Sequence, residues 1–281
     1  MRPSDRRASF AAGAATVVLF GFVALPILAI FVRVPVGTLF AQLRSPVALQ
    51  ALGVSLRTTL FALALIVVFG TPAAYVLGTR PFRGAAALTT LLELPLVLPP
   101  AVAGIALFAA FGRFGLLGGP LRAFGIQLPF TQAAVVMALA YVALPFYTRQ
   151  AVAAFASMDH QLLGASRTLG SGGGRTFFRV ALPLARQGLT AGAALAWARA
   201  LGEFGATILF AGSLQGKTQT LPLAIYEQFS AGNLDGALAM SALLVVVSAA
   251  LFVAVRILVR SRRSEEGAEW GRRSRSNSIT A

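Results

Sequence analysis

The chain has 281 residues, of which 57% are hydrophobic and only 12% charged, with a formal net charge of +15; an ordinary soluble domain carries about 25% charged residues. Together with a mean hydropathy of +0.77, this excludes a water-soluble globule and a disordered chain, leaving a polytopic membrane protein. There is no Cys and a single His, His160, which excludes disulfides, thiolate metal sites, a Cys nucleophile and a multi-histidine centre.

Six charge-poor stretches approach or exceed the ~18–20 residues that a helix needs to cross a ~30 Å hydrocarbon core. The first span is expected near Ala14–Val32, after Arg2, Arg6 and Arg7. Its apolar run is longer than the ~7–15 residues of a signal-peptide core and ends without a small-x-small site, so an uncleaved span is expected. Thr58–Thr79 predicts the second. Ala85–Phe111 predicts a third, interrupted by Glu93 and carrying Pro95, Pro99 and Pro100, which break the helical ladder and expose carbonyls. The charge-free Ala123–Thr148 holds the fourth, starting near Phe130. A fifth runs from about Gln187 to Ala211 with Arg199 and Glu203 inside it, and Gly236–Val255 predicts the sixth. An unclosed sheet cannot satisfy its backbone in lipid, so the fold class is all-α with six transmembrane helices.

Counting basic residues by alternate loops sets the orientation. With the N-terminus inside, the inner segments hold Arg2, Arg6, Arg7, Arg80, Arg83, Arg149, Arg167, Arg175, Arg179, Arg186 and seven arginines from Arg256 onward. The outer segments hold only Arg33, Arg44, Arg113, Arg122 and Lys217. Seventeen against five predicts both termini in the cytoplasm, with residues 1–13 as an N-terminal segment and 260–281 as a polar, disordered cytoplasmic tail. The basic excess is thereby assigned to cytoplasmic loops beside membrane lipid, and no nucleic-acid partner is expected, since no basic, aromatic-interleaved soluble domain is present.

The longest inner loop reads SMDHQLLGASRTLGSGGGRTFFRVALPLARQGL from Ser157 to Leu189. Asp159–Leu169 can form a short helix with Asp159 at its N-cap. Leu162, Leu163, Ala165 and Leu169 can make its apolar face, and Gly170 suits a left-handed C-terminal position. Ser171–Gly174 is expected as a flexible turn, and Pro183 as the opening of the next helix. An amphipathic helix in such a loop must lie either on the membrane or in a partner's groove.

This loop resembles the coupling motif of ABC importer permeases: EAA, three residues, Gly, nine residues, Ile-x-Leu-Pro. Here Gly164-Ala165-Ser166 stand at the EAA positions, then Gly170, then Val180-Ala181-Leu182-Pro183 at matching spacing. Gly164 replaces the family's Glu, so no salt bridge is expected from that position. The resemblance implies a type I permease fold over residues 14–259, with a cytoplasmic coupling loop at 157–183 seated in a groove of an ATPase. Asp159, Leu163, Leu169 and Gly170 would belong to that contact.

In the fifth span, Arg199 and Glu203 stand four apart and can pair across one helical turn. A charge at mid-bilayer is costly, so the pair should face protein or water. Two roles stay open for it, bracing the core or gating and lining the path. Glu93, Pro99, Arg199, Glu203 and Thr207 are the candidates for a translocation path or gate. The run Arg199-Ala200-Leu201-Gly202-Glu203-Phe204-Gly205-Ala206-Thr207, followed by Thr220-Leu221-Pro222-Leu223-Ala224-Ile225-Tyr226, closely resembles permeases of molybdate importers and, less closely, those for sulfate.

The resemblance implies a bacterial inner-membrane importer of molybdate, with sulfate, thiosulfate or tungstate as alternative cargo. It implies a permease homodimer, two ATPase subunits holding ATP with magnesium, and an extracytoplasmic oxyanion-binding protein. No cofactor or metal is expected on this chain. An ion-gradient-driven secondary transporter would instead need titratable groups such as Glu93 or Glu203, and would leave the loop spacing unexplained. Catalysis is not expected. Gly212–Thr218 has three residues between its glycines where a P-loop has four. The Gly170–Gly174 cluster has no strand before it. Asp5, Asp159 and Asp235 lie in loops or at span edges, so no intramembrane aspartate pair forms.

Overall fold

The computed structural model describes residues 3–254. The tail 260–281, the arginines from Arg256 onward and Arg2 lie outside the described residues. Among the described residues every regular element is helical: α1 (Pro3–Arg33), α2 (Val36–Leu43), α3 (Pro46–Thr79), α4 (Ala85–Val97), α5 (Pro100–Phe111), α6 (Gly118–Ala123), α7 (Gln132–Ala156), α8 (His160–Thr168), α9 (Gly173–Thr176), a π turn (Phe177–Ala181), α10 (Leu182–Leu201), α11 (Gly205–Ala211), α12 (Leu221–Ser230) and α13 (Leu234–Ala254).

Four helices are long and apolar enough to cross a membrane, namely Ala12–Arg33 within α1, α3, α7 and α13. Two more spans arise if α4 with α5, and α9–α10 with α11, each count as one; these pairs are bent by 116° and 62°. Counted that way the six expected spans are present, with the third and fifth as broken rods. The second span is also longer than expected. It starts at Pro46, where the Ser45 hydroxyl accepts from the Ala48 N–H at 3.1 Å, and at 1.5 Å per residue its 34 residues reach about 51 Å. Arg149 was expected in the inner loop; it lies instead within α7, whose pattern continues to Ala156.

The core joins α3, α5, α7, α10 and α11 and is rich in alanine: Ala62, Ala74, Ala103, Ala138, Ala143, Ala151, Ala196 and Ala206 are all fully buried. Small side chains let helix backbones approach where lipid supplies no hydrophobic drive between helices. A second cluster packs the start of α3 (Ala48, Ala51) on Leu221 and Ala224 of α12 and Met240 of α13.

Hydroxyls stitch the spans together. Thr58 and Thr59 donate back to the carbonyls of Val54 and Ser55, both at 2.7 Å. Across spans, the Trp197 indole donates to Thr59 at 3.1 Å, and the Leu221 N–H to Ser55 at 2.7 Å. Thr71 and Tyr147 share a hydroxyl–hydroxyl bond of 2.6 Å between α3 and α7. By contrast, the described side chains of α1 are almost all exposed, as an apolar helix facing lipid requires.

Candidate coupling loop and translocation path

The loop 157–183 folds around local signals. Asp159 Oδ1 accepts from the Gln161 N–H at 2.8 Å at the start of α8. The helix ends at Thr168, and Gly170 turns the chain at φ +81°, a conformation that costs other residues a steric penalty. The expected apolar face of α8 is split. Leu163 is buried, whereas Leu162, Ala165 and Leu169 are exposed, Leu169 at 86%. The reason is that Leu163 joins the main core cluster, and on that side Ser166 meets Thr176 of α9 at 3.1 Å between hydroxyls. Gly164 is exposed, so a longer side chain there would point outward.

Two boundaries differ from expectation. The stretch expected as a turn, Ser171–Gly174, already enters helix at Gly173, and the helix runs on through Pro183 to Leu201. The π turn makes this possible: the Leu182 N–H reaches back to the Phe177 carbonyl. A wider turn just ahead of a proline relieves the clash that an unbroken α-helix would suffer there. Phe177 enters the bundle and packs edge-on against Tyr75 of α3, centroids 4.9 Å apart, while Tyr75 meets Phe155 of α7 at 5.4 Å. Phe178, next in sequence, points out and is 66% exposed. The loop thus presents Leu162, Leu169 and Phe178 outward and is anchored inward by one aromatic cluster.

The two broken spans meet at their breaks. The first lies at Leu98–Pro99, both extended, with Pro100 opening α5. The second lies at Gly202–Phe204. A Cβ added to Gly205 would come within 2.9 Å of the Pro100 Cβ, and one added to Gly104 within 2.8 Å of the Ala206 carbonyl oxygen. Only glycine permits α5 and α11 to lie this close.

Arg199 and Glu203 do pair, through Arg199 Nη2 and Glu203 Oε2 at 2.6 Å, but across a helix break and not along a continuous turn. Glu203 is 1% and Arg199 27% exposed at the side chain. The other oxygen of Glu203 accepts from the Ala206 N–H at 2.8 Å, so the carboxylate already occupies the positive end of α11. Thr207 is fully buried, and its hydroxyl has no hydrogen-bond partner among the described residues. Pro99, Arg199, Glu203 and Thr207 therefore cluster at one junction.

Glu93 does not join them. Its Oε1 meets Arg149 Nε at 3.2 Å, side chains 38% and 59% exposed, beside a cleft of about 170 Å³ lined by Thr89, Thr148 and Val152. Both residues lie about two turns from the helix ends that face loop 157–183 and its neighbour 80–84. Both acids are thus paired with arginines in this structure. Sequence reasoning missed α12, whose signal was the Thr220–Leu221–Pro222 start. It also missed the hydrogen bond from buried Gln219 to the exposed Glu227 carboxylate beside it, for which no local pattern exists.

A family model for binding-protein-dependent transport system inner membrane components matches residues 66–264. The molybdenum transport system permease protein ModB of Mycobacterium tuberculosis is 45% identical over 236 residues, which cover 83% of this chain and 88% of that protein. ModB of Escherichia coli K12 is 42% identical over 178 residues, 63% of this chain and 78% of that one. Among solved structures, a bacterial ABC transporter involved in the import of the acidic polysaccharide alginate superposes with a TM-score of 0.75 at 14% identity, covering 92% of this chain and 96% of that chain. The methionine transporter MetNI in an inward-facing conformation gives 0.57 at 20%, covering 76% and 94%. At those identities the structures show a shared fold, the type I permease fold of ABC importers.

Proposed function

The chain belongs to the family of inner membrane components of binding-protein-dependent transport systems, and on that premise we propose that it is the permease subunit through which an ATP-driven importer moves molybdate into the cytoplasm. It is a multi-pass transport component, not an enzyme. The observation that carries the choice of cargo is the 45% identity to a molybdenum permease over 83% of the chain.

In this reading both termini are cytoplasmic and residues 14–259 form the permease domain. The chain works as a homodimer with two ATPase subunits, which hold ATP and magnesium, and with an extracytoplasmic oxyanion-binding protein. Loop 157–183 is the coupling loop. Leu169 and Phe178, exposed on a polar side of the membrane, are the apolar contacts an ATPase groove would bury. Asp159, Gly164, Ala165, Ser166, Gly170, Leu182 and Pro183 shape it, and Leu163 anchors it. Closure of the ATPases would move this loop, and Phe177 would carry the motion into α3 and α7.

The junction of Pro99, Arg199, Glu203 and Thr207 supports a gate better than a resting site for the anion, because Glu203 holds the position an anion would take at α11. Glu93 supports an inner-side latch to Arg149. The test is cellular uptake read by elemental mass spectrometry in a deletion strain given scarce molybdate, tungstate or sulfate. Loss of molybdenum alone, reversed by excess molybdate, is expected. Loss of sulfur with molybdenum intact would move the cargo to sulfate.

A further inference from the structure

The segment between α5 and α7 is the part of the chain that neither the coupling loop nor the junction of broken helices explains. It lies at the end of α7 remote from loop 157–183 and contains Arg113 and Arg122 but no Asp or Glu from Gly112 to Thr131. Both arginines line one cleft of about 200 Å³, with Phe111, Gln127, Leu128 and Phe130 among its walls.

Neither guanidinium is paired with a carboxylate among the described residues. Glu93 and Glu203 are engaged by Arg149 and Arg199, Glu227 by Gln219, Asp159 caps α8, and the exposed Asp235 at the start of α13 makes no ion pair with either arginine. The two cations are instead held without being neutralised. Arg113 lies over the Phe114 ring, 5.7 Å from its centroid, and Arg122 donates through Nε to the Gly118 carbonyl at 3.3 Å. That bond uses the inner edge of the guanidinium and leaves both Nη groups free to form a fork.

The cleft is also built, not incidental. Phe130 holds φ +62°, the one non-glycine residue at positive φ among the described residues, which is a strained position for a bulky side chain. It is kept there by Phe108, centroids 6.4 Å apart, and by the bare backbone of Gly212, where an added Cβ would approach its ring to 2.9 Å. Gly118 packs against the Gly112 and Arg113 carbonyls so closely that a side chain would not fit.

Charge economy sharpens the point. Basic residues are scarce on the outer side of an inner-membrane protein, and in the proposed orientation two of the five outer cations converge here. We propose that Arg113 and Arg122 form an outward-facing site for a tetrahedral oxyanion group, supplied either by free oxyanion or by the phosphate of a membrane lipid. Its outward placement, and free molybdate as one source, rest on the proposed orientation and cargo. The apolar walls and the exposed Phe114, Leu116 and Phe124 around it would seat an acyl chain beside a lipid phosphate. The free Nη groups would equally take a dianion.

The test uses the full chain in nanodiscs. In phosphatidylcholine discs, retention of molybdate and of sulfate is measured by equilibrium dialysis with elemental detection. In discs containing phosphatidylglycerol, retained lipid is counted by native mass spectrometry. The Arg113→Gln/Arg122→Gln pair is expected to lower retention at least about tenfold in the arm that identifies the source. Lys217→Gln, an outer cation away from the cleft, should change it less than about twofold, and Arg113→Lys/Arg122→Lys should keep more than the Gln pair while reporting on folding. Anion retention lost in the first arm identifies a free oxyanion; lipid retention lost in the second identifies the headgroup. No difference between wild type and the Gln pair in either arm overturns the site. Retention of sulfate in a chain whose deletion spares molybdenum uptake would sink the cargo reading and leave the site standing.

Discussion

The molecule has two joints, and they are built from opposite materials. At the loop end, Phe177, Tyr75 and Phe155 form an aromatic contact between a π turn and two continuous spans. At the other joint, where α4–α5 meets α10–α11, glycine contacts and one buried ion pair hold two broken spans together. Most of the energy of such packing is hydrophobic burial and dispersion, non-directional and spread over many weak contacts, so it tolerates small displacements. A buried ion pair with a backbone hydrogen bond at its far oxygen tolerates little, because any displacement leaves a charge uncompensated. In the proposed function, the difference would suit a joint that follows motion at one end and one that switches between discrete arrangements at the other.

The sharpest way to break this comparison is Glu203→Ala. It leaves Arg199 unpaired and uncaps α11, and should cost about 3–5 kcal/mol in denaturant unfolding followed by tryptophan fluorescence. Replacing both partners by Met should recover most of that loss. Failure to recover would mean the pair does more than brace the break.

At the aromatic joint, Phe155→Ala removes a fully buried ring and should cost about 3 kcal/mol. Phe178→Ala, exposed on the same loop, should cost less than about 0.5 kcal/mol while weakening co-purification of an ATPase. If ATPase binding is unchanged, the outward face of the loop is not the contact.

Tyr147→Phe deletes the cross-span bond to Thr71 and should cost about 1 kcal/mol. The cost is small because Thr71 keeps its second bond, to the Val67 carbonyl at 2.5 Å. A small effect is also expected for Glu93→Gln. The pair with Arg149 is largely solvent-exposed, so a stability change under about 1 kcal/mol is expected. A larger loss in thermal unfolding would show that the latch is closed off from water in the assembled complex.

Much of this was legible from the residues alone. Apolar runs reported six spans because crossing a bilayer is a local demand, met by consecutive residues. The Asp159 cap and the Gly170 turn followed for the same reason: each is satisfied within a few positions. The proline cluster announced a break in the third span, though not a bend of 116°. The fifth span reads as continuous because Arg199 and Glu203 fit an unbroken helix equally well; in the structure Glu203 caps the second half through the Ala206 N–H, and Gly205 lies against Pro100.

The amino-acid sequence by itself determined the membrane class, the spans, the asymmetry of charge and the spacing of the loop, all set by composition or short-range geometry. Tertiary structure alone decided which distant groups meet. Thr71 finds Tyr147 76 residues on, Trp197 finds Thr59 across 138, and Leu221 finds Ser55 across 166. The sharing of one cleft by Arg113 and Arg122 is of the same kind. Such meetings depend on how alanine- and glycine-faced helices approach one another, a property of the packed bundle that no single stretch encodes.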